Sequence, residues 1–289
     1  PPPPPLSLSL SHTRPGGGGI LATCLLAAAA ATAVSVAAVR VLTLSQGSPP
    51  RSGSLRRHVR VPARIAGLGS CGVDFIAQVS EYPNPDDKIR TTDFQVFGGG
   101  NAANTLCALG KLGNPVQLIT KVGTDANGEL IIKELEGSGV STEHVLQSSK
   151  TPSPFTYVIV DQKSSTRTCI HTAATEELVP EEISERMLEG CGWLHLDGRH
   201  TPAATRLATL ANEMGIPVSL DAEKDRPGLD ELLTRADMLF TNSKYPSIFG
   251  GKDDLEENLR ATLEKLPRLK FVVSTQGSDG SLAMVRDEI

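Results

Sequence analysis

At 289 residues the chain is long enough for one large α/β domain or two smaller ones, with a real core in either case. Its formal net charge of −5 hides an asymmetry. Residues 1–73 hold seven Arg, no Lys and no acidic residue, which leaves 21 basic against 33 acidic residues in 74–289. So acidic a body argues against general nucleic-acid binding, which needs a positive footprint. Five scattered cysteines (Cys24, Cys71, Cys107, Cys169 and Cys191) contain no C-x-x-C pair. They argue against a disulfide framework or a zinc site and fit buried thiols in a reducing compartment.

Residues 1–64 differ from the rest. "PPPPPLSLSLSHTRPGGGG" is low-complexity, and Ile20–Val39 is an uncharged, alanine-dominated run. Arg-rich, Ser-containing and acid-free is the composition of an organelle transit peptide, pointing to a plastid, with a cytoplasmic protein as the alternative. The apolar run is long enough to span a bilayer, but alanine contributes little transfer energy, so a membrane anchor is the weaker reading. A third reading is that the segment is not natural coding sequence, since the first Met is Met187.

From residue 65 the pattern is that of a folded domain. "RIAGLGSCGVDFIAQV" reads as strand, glycine turn, strand. "KIRTTDFQVF" and "FTYVIVDQKSSTRTCIHT" have the alternation of strands, the latter with a hairpin turn at Gln162–Thr166. Helical stretches are expected at Ala102–Leu112 and Gly128–Glu136, the second stopped by Gly137 and Gly139. Further on, "WLHLD", "IPVSLD", "DMLFTN" and "KFVVST" are short apolar runs typical of strands buried on both faces. Helical patterns at Ala203–Met214, Leu229–Arg235 and Asp254–Leu266 separate them, which implies β-α-β units and a parallel sheet. Asp197, Asp221, Asn242 and Thr275 with Gly277 stand at the strand ends. Each alone reads as a cap or turn former. Four on one carboxyl edge mark a site, because open α/β sheets bind ligands there.

"VFGGGNAANTLCALGKLG" (96–113) holds a loose G-x-G-x-x-A, from Gly98 to Ala103. It does not follow the first strand as a dinucleotide fingerprint should, and no Walker loop is present, since "GKLG" lacks the hydroxyl residue after its Lys. Asn101 and Asn104, three apart, share one face of a first helical turn. Amide side chains both donate and accept, so such a pair beside bare glycine backbone suits sugar hydroxyls. An Asn cap with packing glycines fits the stretch equally well.

Residues 65–289 resemble the ribokinase-like, or PfkB, family of carbohydrate kinases. The family's G-G-x-x-x-N signature stands as Gly99-Gly100-Asn101-Ala102-Ala103-Asn104, its G-x-x-x-x-D strand as "GSCGVD" ending at Asp74, and its T-x-G-x-x-G loop as "STQGSDG". "STRTCIHT", "WLHLDGRH", "VSLDAEK" and "MLFTNSKY" are similar to the ketohexokinase branch and to plant PfkB proteins. The resemblance implies a three-layer α/β/α sandwich with a mainly parallel central sheet. A small β-sheet lid would come from strands within about 75–98 and 155–172 and would cover the sugar. It implies ATP-dependent phosphorylation of a sugar or nucleoside hydroxyl with Mg²⁺ bridging phosphates. Asp74, Gly99, Gly100, Asn101, Asn104 and Arg167 would bind the acceptor, with Asp197 lining the pocket or ordering its water. Asn242, Thr275, Gly277 and Gly280 would approach the nucleotide. A homodimer through the lid is implied as well.

Two departures stand out. Where ribokinases have N-x-x-E to organise magnesium, Asn242 is followed by Tyr245 in place of the Glu, which ketohexokinase-like members also lack. The family's G-A-G-D, an anion hole plus aspartate base, would lie beyond Ile289, so no catalytic residue is assigned and the chain as given is expected to be inactive and poorly soluble alone. The competing reading is a non-catalytic PfkB-like binding or regulatory protein, of the kind plant plastids associate with transcription machinery. A dehydrogenase is a distant third.

Overall fold

The computed structural model describes residues 63–286. The larger of two sheets contains β1 (Arg64–Leu68), β4 (Val116–Gly123), β5 (Val140–Ser148), β8 (Cys191–Leu196), β9 (Val218–Ala222), β10 (Met238–Asn242), β11 (Phe271–Thr275) and β12 (Ser281–Val285). Their order is β12-β11-β10-β9-β8-β1-β4-β5, parallel throughout except for the antiparallel β11–β12 pair. The smaller sheet contains β2 (Gly72–Val79), β3 (Asp93–Gly99), β6 (Phe155–Asp161) and β7 (Thr166–Thr172), in the order β3-β2-β6-β7. The helices are α1 (Asn101–Lys111), α2 (Ala126–Gly137), α3 (Thr201–Glu213), the short α4 (Leu229–Leu233) and α5 (Ser247–Gly250), and α6 (Leu255–Lys265).

Alternation along the parallel strands places helices on both faces. Leu194 and Leu196 of β8 and Leu220 of β9 pack with Ala204, Leu207 and Ala211 of α3 and Leu259 of α6. On the opposite face Ile65, Leu118 and Trp193 pack with Leu106 and Leu109 of α1 and Ile131 of α2. The expected α/β/α sandwich with a smaller second sheet is therefore present. α2 begins at the Asp125 cap, whose carboxylate accepts from Gly128 N at 2.9 Å and from Ser153 N at 2.9 Å, tying the helix to the approach to β6. Asp125→Ala should lower the unfolding free energy by about 1–2 kcal/mol, read as a shifted urea midpoint with an unchanged slope.

Several expectations need correction. The strand expected over Lys88–Phe97 begins only at Asp93, because Thr92 N donates to Gln78 O and closes the ladder against β2 there. β5 had no counterpart in the sequence reading. It is an edge strand, and the Ser, Thr, Glu and Gln it carries blunt the apolar pattern. The strand, glycine turn and strand of "RIAGLGSCGVDFIAQV" are present, but in different sheets: the chain leaves the large sheet after Leu68 and enters the small one at Gly72. Of the four described cysteines Cys71 is buried, Cys107 and Cys191 are half-buried, and Cys169 is exposed because it stands on the open strand β7. The large sheet starts at Arg64, one residue before the expected boundary. The transit-peptide and anchor readings, with Cys24, lie outside the described residues. No helix among the described residues is long and apolar enough to cross a membrane.

Candidate functional site

A cavity of about 950 Å³ opens between the small sheet, the start of α1 and the carboxyl ends of β8 and β9. The period of two along each strand decides which residues of the small sheet face it. They are Asp74 and Ile76 of β2, Phe97 of β3, Thr156, Val158 and Val160 of β6, and Arg167, Cys169 and His171 of β7. Register puts Asp74 opposite Thr156, and Thr156 opposite His171, in one cross-strand row. Thr156 Oγ1 and His171 Nδ1 are hydrogen-bonded at 3.1 Å. Burial raises the Asp74 carboxyl above its usual range, against the opposing pull of Thr156, His171 and Arg167. Desolvation lowers the His171 pKa, and Arg199 lowers it further.

The two glycines at the floor are required by contact. Gly100 has φ +99°, and a Cβ there would overlap the Ser70 carbonyl; a Cβ on Gly99 would collide with the Asp74 carboxylate. Gly100 is the N-cap of α1 and brings no side chain to its amides. Other groups serve them: Asn101 N donates to Ser70 Oγ (3.0 Å), Ala102 N to Asp197 Oδ2 (3.1 Å) and Ala103 N to Ser70 O (3.2 Å). Asp197 also accepts from Ser70 N (2.8 Å), Ser70 Oγ (2.5 Å) and Arg199 N (3.0 Å). A buried carboxylate at a helix N-terminus is a favourable charge placement. Asp197 thus borders the cavity, but its oxygens are engaged by the protein: it pins the β1–β2 crossing, α1 and the loop before α3 together.

All seven residues expected at the acceptor, Asp74, Gly99, Gly100, Asn101, Asn104, Arg167 and Asp197, border this one cavity. Among the described residues the side-chain amides of Asn101 and Asn104 and the Arg167 guanidinium have no protein hydrogen-bond partner, so they are available to a ligand. The four residues expected at the nucleotide do not border it. They stand along the neighbouring edge of the sheet. Asn242 is committed to a turn: its Oδ1 accepts from Lys244 N (3.0 Å) and Tyr245 N (2.9 Å), and its Nδ2 donates to Glu223 O (2.9 Å). Thr275 Oγ1 donates weakly to Thr241 O (3.4 Å), while Gly277 (φ 61°) and Gly280 (φ 93°) shape the turn after β11. Tyr245 is buried against Phe249, so no carboxylate stands in its place. Among the described residues no cluster of three or more His, Cys, Asp or Glu is placed to hold a metal.

Sequence reasoning missed Ser70, Thr156, His171, Arg199, His200 and Arg226, which also line the cavity. His200 adopts φ 52°, a left-handed conformation rare outside glycine. Its Nδ1 accepts from Leu178 N at 3.3 Å, which leaves the neutral ring's proton on Nε2 as a donor. Burial lowers its pKa and keeps it neutral. "GRH" and "KDR" directly after two apolar strands were the available signals.

Two groups beneath the cavity, the buried His195 and the half-buried Asp221, titrate in opposite directions. His195 is hydrogen-bonded through Nδ1 to Ser219 Oγ (3.0 Å), and burial pushes its pKa down from 6.5 to about 4. Its contribution to stability is present above pH 6.5 and lost as pH falls from there to about 4. Burial, with Glu223 and Asp197 nearby, pushes the Asp221 carboxyl up from 3.8 to about 8. Its contribution is present below 3.8 and lost as pH rises to about 8. Between pH 6.5 and 8 only Asp221 acts, and stability should fall by about 2 kcal/mol. Thermal melts should show that decline in the wild type and its absence in Asp221→Asn; a parallel decline in both would contradict it.

The comparisons with known proteins bear on the family and the fold. The pfkB family carbohydrate kinase model matches residues 62–288. An ATP-dependent ribose-1-phosphate kinase from Halopiger xanaduensis is 32% identical over 183 residues, covering 63% of this chain and 62% of that protein. The chain therefore spans less than two thirds of that relative's length. A ribokinase from Arabidopsis thaliana is 27% identical over 263 residues, 87% of this chain and 69% of the relative. The structure of Arabidopsis thaliana ribokinase complexed with ribose and ATP superposes with a TM-score of 0.66 at 23% identity, covering 79% of this chain and 76% of that one. A family match over most of the chain, on a fold shared with ribokinase, shows that this chain belongs to the pfkB family of carbohydrate kinases.

Proposed function

We propose that this chain is the acceptor-binding part of an ATP-dependent sugar kinase. The observation that carries the reading is the convergence of Asp74, the Asn101 and Asn104 pair and Arg167, from three places in the sequence, on one cavity. Asp74 accepts from sugar hydroxyls, the two asparagines donate and accept, and Arg167 reaches from β7 over the ligand. The names of the relatives, ribokinase and ribose-1-phosphate kinase, support a sugar over a nucleoside. ATP would lie along the carboxyl ends of β10 and β11, where Gly277 and Gly280 keep the backbone open to close approach. The residues there offer no all-protein cage for Mg²⁺, which fits an ion carried mainly by phosphates and water. The nucleotide supplies the transferred phosphoryl group; this chain's residues position the acceptor and keep water from it.

No G-A-G-D occurs in the 289 residues. Without that anion hole and base, positioning alone leaves the hydroxyl protonated, so this chain should bind a sugar without transferring phosphate at a measurable rate. The second reading is a non-catalytic binding or regulatory protein of the same family. Calorimetric titration with pentoses, hexoses and ribonucleosides, alongside a phosphoryl-transfer assay, tests both. Sugar binding without turnover is expected; robust phosphorylation by this chain, or preferential nucleoside binding, would contradict the reading.

The outer face of the small sheet supports a homodimer. Val96, Phe75, Tyr157 and Ile170 form one cross-strand row, and Val96, Tyr157 and Ile170 are exposed with Phe94 beside them. A second copy would cover this apolar face and make the small sheet a shared lid. Sedimentation should show a dimer that Tyr157→Glu dissociates; a monomeric wild type would sink it. Residues 1–64 support plastid delivery, which a fluorescent fusion of that segment tests by its location.

A further inference from the structure

Thr156 and His171 continue the cross-strand row that Asp74 begins, and the function proposed above gives neither of them a task. Register sets Asp74 of β2 against Thr156 of β6, and Thr156 against His171 of β7. All three border the cavity. Thr156 Oγ1 and His171 Nδ1 are hydrogen-bonded at 3.1 Å. Against burial, Thr156 is the leading influence that favours the ionised Asp74 carboxyl, ahead of His171 and Arg167 of β7, while Glu134 of α2 opposes it.

A threonine hydroxyl has one proton to give, and Asp74 and His171 compete for it. With its proton on Nε2, the His171 ring presents Nδ1 as an acceptor and draws the hydroxyl proton away from Asp74. With the proton on Nδ1, the ring donates to Oγ1, and the hydroxyl is free to donate to the carboxylate. A bond to a charged acceptor is roughly twice as strong as one between neutral groups. The second arrangement therefore wins wherever Asp74 is ionised. The surroundings hold the ring neutral in that arrangement: desolvation, Arg199 from the loop after β8 and Arg226 from the loop after β9 all oppose a second proton, and only Asp74 favours it.

We propose that His171 and Thr156 are positioning residues for Asp74: His171 Nδ1–H donates to Thr156 Oγ1, and this directs the Thr156 hydroxyl proton onto the carboxylate that receives the acceptor's hydroxyl groups. The acceptor role rests on the sugar-kinase reading above. The line of bonds does not, since it is formed by the protein alone.

The test pairs two measurements on the 289-residue chain: an NMR titration of the Asp74 carboxyl carbon and the His171 ring nitrogens without ligand, and calorimetric titration with ribose across pH. Both compare the wild type with Thr156→Val, His171→Phe and His171→Asn. At neutral pH wild-type His171 should carry its proton on Nδ1. Removing the Thr156 hydroxyl or the His171 donor leaves the burial of Asp74 less opposed, so the Asp74 midpoint should move to higher pH. Ribose affinity needs the ionised carboxylate and is lost as pH falls through that midpoint, so its acid limb should move up as well. Near neutral pH both variants should bind ribose about tenfold more weakly. His171→Asn, whose amide places an N–H near the Nδ1 position, should recover most of both effects. Thr156→Val/His171→Phe should lose no more than Thr156→Val alone, because the two act in one line. Melting temperature reports that the variants fold. A His171 proton on Nε2, or an Asp74 midpoint and ribose affinity unchanged in both single variants, overturns this inference and leaves the sugar-kinase reading intact. Additive losses in the double variant assign His171 to the ligand directly and overturn it too. Shifted midpoints in a chain that binds no ribose uphold the line of bonds and overturn the sugar-kinase reading.

Discussion

Asp197→Ala is expected to lower the unfolding free energy by about 3–5 kcal/mol and to abolish ligand binding with it. The carboxylate is 7% exposed and accepts from Ser70 N, Ser70 Oγ, Ala102 N and Arg199 N. Alanine would leave those donors without their acceptor in a site too enclosed for water to replace it fully. It would also release three segments from one another: the crossing between the sheets, the start of α1 and the loop that carries Arg199. Asp197→Asn, which keeps the volume but turns an NH₂ toward donors, should recover little. Urea denaturation measures the effect; a loss below about 1 kcal/mol would show that the carboxylate is not the pin described here.

Asp74→Ala should behave in the opposite way. Sugar affinity should fall by about tenfold to a hundredfold, since a hydroxyl group loses its charged acceptor. Stability should hold or rise. Burial raises the Asp74 carboxyl above its usual range, which means that the ionised group is unfavourable in the protein without a ligand. The proposed sugar hydroxyls would offset that cost. Calorimetry and thermal melts on the same sample separate the outcomes. Unchanged sugar binding, or a melting temperature that collapses as expected for Asp197→Ala, would remove Asp74 from the binding role.

The contrast between these two aspartates marks what was legible in the sequence. β8 to β11 could be read because strands buried on both faces are continuous apolar runs, and "WLHL" or "MLF" tolerate few other readings. The strands of the small sheet showed their alternation as well. The polar residues that end the strands could be placed on one edge but not sorted. Asp197 holds Ser70 and Ala102, which lie 127 and 95 residues away in sequence, and nothing near it in the chain announces those partners. Asn242 had two readings, and its bonds to Lys244 and Tyr245 make it a turn former. Thr156 and His171 escaped notice because only the register of β2, β6 and β7 brings them into line with Asp74. β5 escaped because an edge strand carries polar residues that dilute its pattern.

The central claim, that this cavity is where a polyhydroxylated acceptor sits, is tested most directly by a crystal structure of the chain with its tightest-binding sugar. The account predicts ligand hydroxyl groups within hydrogen-bonding distance of Asp74 and of the Asn101 or Asn104 amides, beneath Arg167. A ligand bound along the β10–β11 edge, or on the outer face of the small sheet with Asp74 and Asn104 untouched, would contradict it.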